Sequence, residues 1–161
     1  MRESNTTLKW KATDVNPALK KLNILIGDWE ILGKHPLIAN PITGRTNFSW
    51  FNGKSFLIMR TDFNQSGPPN STAIIGSDDS AEKLSMLYFD ERGISRIYEV
   101  KFNDNILEMR PDFPGFSQRY KGIIKDNGNT IEGAWELCED DTNWKKDLEV
   151  SYSKIKLNIK Q

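Results

Sequence analysis

The chain has 161 residues, a length suited to one domain with its own core, and it is 37% hydrophobic and 11% aromatic. Its 22 Lys and Arg balance 22 Asp and Glu, so there is no basic footprint for nucleic acid. The single cysteine, Cys138, excludes an internal disulfide, the first residues lack the apolar stretch of a signal peptide, and no apolar run reaches the ~20 residues of a membrane helix; the expected location is cytoplasmic, with no nucleic-acid and no membrane partner.

In chain order, residues 1–14 are polar and aperiodic and read as a flexible N-terminal segment, with 15–161 as one barrel domain. Asn16-Pro17 is a helix start, Asn as cap and Pro at the first position. Ala18, Leu19, Leu22, Leu25 and Ile26 then recur at helical spacing, so a short amphipathic helix runs to Gly27 and needs a cover for its apolar face. The open end of a barrel is the expected partner, with Trp29 as a plug. From Trp29 onward β-rich runs alternate with turn clusters such as Asn52-Gly53, Gly67-Pro68-Pro69-Asn70 and Glu91-Arg92-Gly93. Strands are expected near 28–35, 44–51, 55–63, 71–78, 83–90, 94–102, 105–110, 117–125, 130–138 and 146–156. The fold class is all-β, a single up-and-down antiparallel β-barrel of about ten strands with a short N-terminal capping helix. A barrel of that width is too large for side chains alone to fill, which makes a ligand cavity the first functional expectation.

Alternation sorts each strand into two faces without saying which is inward. Trp29, Ile31, Gly33 and His35 share one face; Phe48 and Trp50 follow; Arg60 shares a row with Phe56, Ile58 and Asp62, opposite Leu57, Met59 and Phe63. An outward placement of those last three would offer a homodimer face. Tyr88 and Asp90 align on one strand and Arg96 and Tyr98 on the next, with Asp90 and Arg96 set to pair across the Gly93 turn. The segment 109–119 holds Arg110, Phe116, Gln118 and Arg119 around two prolines and a glycine, a stiff loop for a barrel mouth. Its guanidinium groups suit a carboxylate or phosphate and its rings an apolar tail, or else it is a rigid corner with solvated arginines.

His35 is the sole histidine, and no metal-ligand spacing accompanies it. Cys138, near Trp135 and Leu137, has no histidine to activate it and reads as structural. No phosphate loop, serine elbow or triad is present. The candidate ligand-binding residues are Trp29, His35, Trp50, Arg60, Tyr88, Asp90, Arg96, Tyr98, Arg110, Phe116, Gln118, Arg119 and Trp135; no catalytic residue and no metal ligand is assigned. The leading reading is an intracellular barrel that binds a small hydrophobic or amphipathic molecule, anionic variants included. Two others stay open: an enzyme using buried Asp, Arg or His groups, and a solidly packed interaction barrel.

Gly27-Asp28-Trp29-Glu30, Gly33-Lys34-His35-Pro36 and the ten-strand cadence together resemble nitrobindin-like and other calycin-type barrels. Ile74-Ile75-Gly76-Ser77-Asp78-Asp79, Met86-Leu87-Tyr88-Phe89-Asp90, Arg92-Gly93-Ile94-Ser95-Arg96 and Pro114-Gly115-Phe116-Ser117-Gln118-Arg119 are closer to a bacterial group of small domains of unknown function, over residues 17–156. The nitrobindin resemblance implies haem held by a late-strand histidine. This chain has no histidine after His35, so the expectation is no cofactor, with haem disfavoured.

Overall fold

The computed structural model describes residues 16–51, 53, 55–78, 83–111, 117–140 and 142–156; the segment 1–14 lies outside the described residues. Asn16 caps the first helix, its side-chain oxygen accepting from the Ala18 amide while its Nδ2 donates to Ser77 Oγ at 2.6 Å. Helix α1 (Pro17–Lys20) is a single turn, and the chain tightens into a 3-10 turn over Lys21–Leu25. The expected helix is therefore two short pieces. The leucines keep the spacing of one apolar stripe all the same: Leu19, Leu22 and Leu25 are fully buried.

Ten strands follow: β1 (Gly27–Lys34), β2 (Ile42–Phe51), β3 (Phe56–Phe63), β4 (Ser71–Ser77), β5 (Leu84–Asp90), β6 (Ser95–Asn103), β7 (Ile106–Pro111), β8 (Ser117–Lys125), β9 (Thr130–Cys138) and β10 (Trp144–Lys154). Their limits lie within two residues of those read from the turn clusters. Each strand pairs antiparallel with its neighbours in sequence, and β1 pairs with β10 to close the barrel, which leaves no edge strand exposed.

Register decides the faces. Trp29 pairs with Thr46, Thr46 with Thr61, and Thr61 with Ser71, and all of these point inward. Along β3 the inward residues are Leu57, Met59, Thr61 and Phe63, because they share a ladder with buried Phe48, Ala73 and Ile75. The outward placement that would have made Leu57, Met59 and Phe63 a dimer face is thus corrected: they belong to the interior. Arg60 is on the outer face and exposed.

The chain's first turns close one end of the barrel. Leu19, Leu22 and Leu25 join Trp29, Leu57, Ile75, Leu84 and Ile131 in one buried cluster. Trp29 is fully buried, its indole N–H donates to the Leu25 carbonyl at 2.8 Å, and the Lys154 ammonium stands 5.2 Å from the ring centre while donating to the Ile24 carbonyl. The ring thereby ties the 3-10 turn, β1 and β10 together. Higher on the wall, Gly122 and Gly133 face each other across β8 and β9, and the Tyr120 ring lies over both. A Cβ at either position would overlap the Tyr120 phenol, so glycine is required there for close approach.

Candidate functional site at the open end of the barrel

At the end opposite the helix, the connections after β1, β3 and β5 border a mouth. A cavity of about 500 Å³ opens there and descends between the sheet walls. Its rim carries His35, Ile38, Phe63, Pro68, Pro69 and Arg92; Thr61, Ser71, Tyr88, Arg96, Gln118 and Leu148 lie on the upper walls; and Met59, Ala73, Met86, Tyr98, Met109, Trp135 and Tyr152 line the depth. The size is within the usual range for small-molecule sites, and apolar walls with few convergent polar groups are their common makeup.

The aromatic wall is built edge to face. Tyr88 meets Tyr98 with ring centres 6.0 Å apart and planes at 85°, Tyr98 meets Trp135 at 5.8 Å, and Trp135 meets Tyr120 at 5.3 Å. These contacts run from β5 to β9 and hold the rings in place. Burial pushes the Tyr152 phenol above its ordinary range, and burial with the neighbouring Tyr152 does the same to Tyr120. The Tyr120 hydroxyl is fully buried and has no hydrogen-bond partner among the described residues.

Asp90 ends β5 just where the chain turns. Its side chain has no exposed surface and accepts four hydrogen bonds, from the Tyr88 hydroxyl (2.9 Å) and from the Arg92 amide, Nε and Nη2 (2.9, 3.3 and 2.8 Å). The Arg92 guanidinium, chiefly, holds this carboxyl well below the usual carboxylate range despite its burial. Burial and the bond to Asp90 push the Tyr88 phenol up to about 12. The expected pairing of Asp90 with Arg96 is corrected: the Arg92 amide donates to Asp90 Oδ1, folding the turn over the strand end and bringing the Arg92 guanidinium to the carboxylate. Arg96, opposite Tyr88 in the ladder, instead donates from Nη1 to Gln118 Oε1 at 2.9 Å.

Across the mouth, His35 Nδ1 accepts from the Leu37 amide at 3.1 Å and Nε2 lies 3.0 Å from Asp147 Oδ1. An acceptor Nδ1 requires the proton on Nε2, so the neutral ring donates to Asp147. Asp147 is the extra residue of a bulge in β10, where the register jumps between Lys146 and Leu148. That bulge turns a carboxylate toward the cavity. Strict alternation hides it, although the run Trp144-Lys145-Lys146-Asp147-Leu148, with no apolar residue between its ends, was a signal.

Of the sequence-derived ligand residues, His35, Tyr88, Arg96, Tyr98, Gln118 and Trp135 meet at this cavity, and Asp90 stands behind Tyr88 and Arg92. The others are elsewhere. Trp29 is in the closed end, and half-buried Trp50 packs near it opposite Leu57. Arg60 and Arg110 are exposed on the outer face, the latter 3.9 Å from Glu108. Arg119 is also outward, 3.9 Å over the Trp144 ring and paired with Glu136 at 3.3 Å. Phe116 lies outside the described residues, as does most of its proline-rich loop. Among the described residues no cluster of His, Cys, Asp and Glu could hold a metal ion, and no helix is long and apolar enough to cross a membrane.

No protein-family model matches the chain, and no curated protein sequence matches it. Solved structures do. The crystal structure of Rv2717c from M. tuberculosis superposes with a TM-score of 0.57 at 17% identity, over 89% of this chain and 100% of that one. At that identity the likeness is one of fold alone.

Proposed function

We propose that this protein is a binding barrel that holds a small hydrophobic or amphipathic molecule in its interior. The observation that carries the reading is the cavity of about 500 Å³, closed below by the leucine and tryptophan plug and open above. Three methionines, Met59, Met86 and Met109, line it and can adapt to an irregular apolar shape.

The titratable groups favour binding over acid–base chemistry. Asp90 is saturated by its four donors and held ionised, which makes it a poor proton acceptor. Nor does the donor set fit haem, the cofactor that the nitrobindin resemblance implies. Both nitrogens of His35 are engaged, by Leu37 and Asp147, and the buried Tyr152 phenol resists the ionisation that an iron-bound phenolate requires.

The test is uptake of a neutral apolar dye such as Nile red, followed by energy transfer from tryptophan. Saturable uptake by the native chain, and its loss in Ala73→Phe with the β-sheet circular dichroism retained, is the expected result, because Ala73 faces the cavity and a phenyl ring would fill it. A native chain that takes up no dye would overturn the reading.

A further inference from the structure

We infer that the cavity selects a monoanionic amphiphile, a carboxylic acid with an apolar tail, and that Arg96 with Gln118 forms the seat for the carboxylate. The inference rests on the binding-barrel reading and adds the class of ligand to it.

The argument is a count of donors and acceptors on the cavity wall. Tyr88 and Arg92 donate to Asp90, and His35 donates to Asp147. These groups are spent on each other, and the charge of Arg92 is matched by that of Asp90. Arg96 is different. A guanidinium carries five N–H donors, and among the described residues one is used, to Gln118 Oε1. With its oxygen so engaged, the Gln118 amide keeps its own N–H groups as donors, and no described residue accepts from them. No carboxylate among the described residues forms an ion pair with Arg96: Asp90 is taken by Arg92, and Asp147 is held by His35 on β10, across the mouth from β6.

Among the described residues, the β6–β8 side of the upper wall therefore has a surplus of donors and a half-buried guanidinium whose partner is a neutral amide, while the Asp147 carboxylate, bonded to a neutral His35, stands on β10 at the other side of the mouth. The complement is a planar acceptor with a single negative charge, and a carboxylate meets a guanidinium by two parallel hydrogen bonds. A dianionic phosphate would leave a charge uncompensated beside apolar walls, which is costly. Below the seat lie Met86, Tyr98, Met109 and Trp135, which suit a tail and not a second polar group.

Competition against Nile red with decanoate and with decan-1-ol at pH 7.5, on the full chain, tests this directly. The acid is expected to bind roughly ten- to a hundredfold more tightly than the alcohol, the range for a hydrogen-bonded charge. Arg96→Gln should abolish that preference, bringing acid and alcohol to equal affinity, and Arg96→Lys should keep part of it, since the charge remains and the fork is lost. The wild-type comparison stands even where a variant does not fold. Equal binding of acid and alcohol by the native chain, or an acid preference that survives in Arg96→Gln, would overturn the carboxylate seat and leave the binding barrel intact. Binding of neither, with no dye uptake, would overturn both.

Discussion

The two ends of this barrel are made by the same alternating strands and are filled in opposite ways. At the closed end, Leu19, Leu22, Leu25 and Trp29 are fully buried, and the one polar group among their side chains, the Trp29 indole N–H, is satisfied by Leu25. At the open end the inward positions include Tyr88, Asp90, Arg96 and Gln118, and a cavity of about 500 Å³ lies between the walls. Ten strands enclose more volume than their own side chains fill, so an end closes only where the chain supplies extra apolar residues. Among the described residues, the helical turns over 17–25 supply them, at one end. Stability should therefore concentrate at the plug and recognition at the mouth.

The largest effect should come from removing the plug's centre. Trp29→Ala deletes a fully buried ring together with its hydrogen bond and its lysine contact, and urea unfolding should show a loss of about 3–5 kcal/mol. Met59→Ala at the cavity wall should cost less than half as much, because half-buried Met59 already borders open space. Equal losses would mean that the open end is packed like the closed one.

Asp90 is the mouth's own structural group, and its removal comes next. Asp90→Asn withdraws a charged acceptor from Tyr88 and Arg92, and about 1–2 kcal/mol should be lost at pH 7, a figure held down by the half-exposed Arg92. The carboxyl's folded pKa is depressed, so as pH falls the unfolded chain binds the proton first. The wild-type advantage over Asp90→Asn should be complete above pH ~4.5 and shrink below the ordinary carboxylate range near pH 4. Tyr88 has the opposite sign: its phenol is raised to about 12, so the unfolded chain ionises first and stability should fall as pH rises from about 10 towards 12. Urea midpoints across both ranges check the two limbs.

What could be read from the residues follows the same division. The strands were legible because turn residues such as Gly67-Pro68-Pro69-Asn70 and Glu91-Arg92-Gly93 interrupt β-rich runs, and the plug because Asn16-Pro17 and the leucine spacing mark a helix start. The site was legible only in part, since alternation yields two faces and no sign of which is inward. Gln118 and Arg119 are neighbours with equally polar side chains, and only the ladder that puts Gln118 opposite Leu137 and Arg119 opposite Glu136 separates them. Asp147 was hidden because a bulge breaks the alternation on which any such reading depends. The partner of Asp90 was misplaced because the turn brings Arg92 back over the strand end, a local geometry that simple cross-strand pairing ignores.

Between plug and mouth stands the Tyr120 hydroxyl, buried and without a partner among the described residues. Its presence costs stability wherever no acceptor reaches it, so Tyr120→Phe should raise the unfolding free energy by about 1 kcal/mol while keeping the ring against Trp135. A destabilised Tyr120→Phe would show that the hydroxyl has an acceptor in solution, and would extend the polar surface of the open end down toward the plug.

The smallest effect should be at Arg119, and it sharpens the contrast between inward and outward arginines. Arg119 stacks on Trp144 and meets Glu136 on the outside of the barrel, where both charged partners are about one-third exposed and solvent screens the pair. Arg119→Ala should cost no more than about 1 kcal/mol, mostly from the lost contact with the indole face. Its decanoate affinity should equal that of the native chain, whereas Arg96→Gln, on the inner wall of the same mouth, should lose its acid preference. A fall in decanoate affinity on changing Arg119 alone would place the anion outside the wall, and the division between a structural exterior and a recognising interior would have to be redrawn.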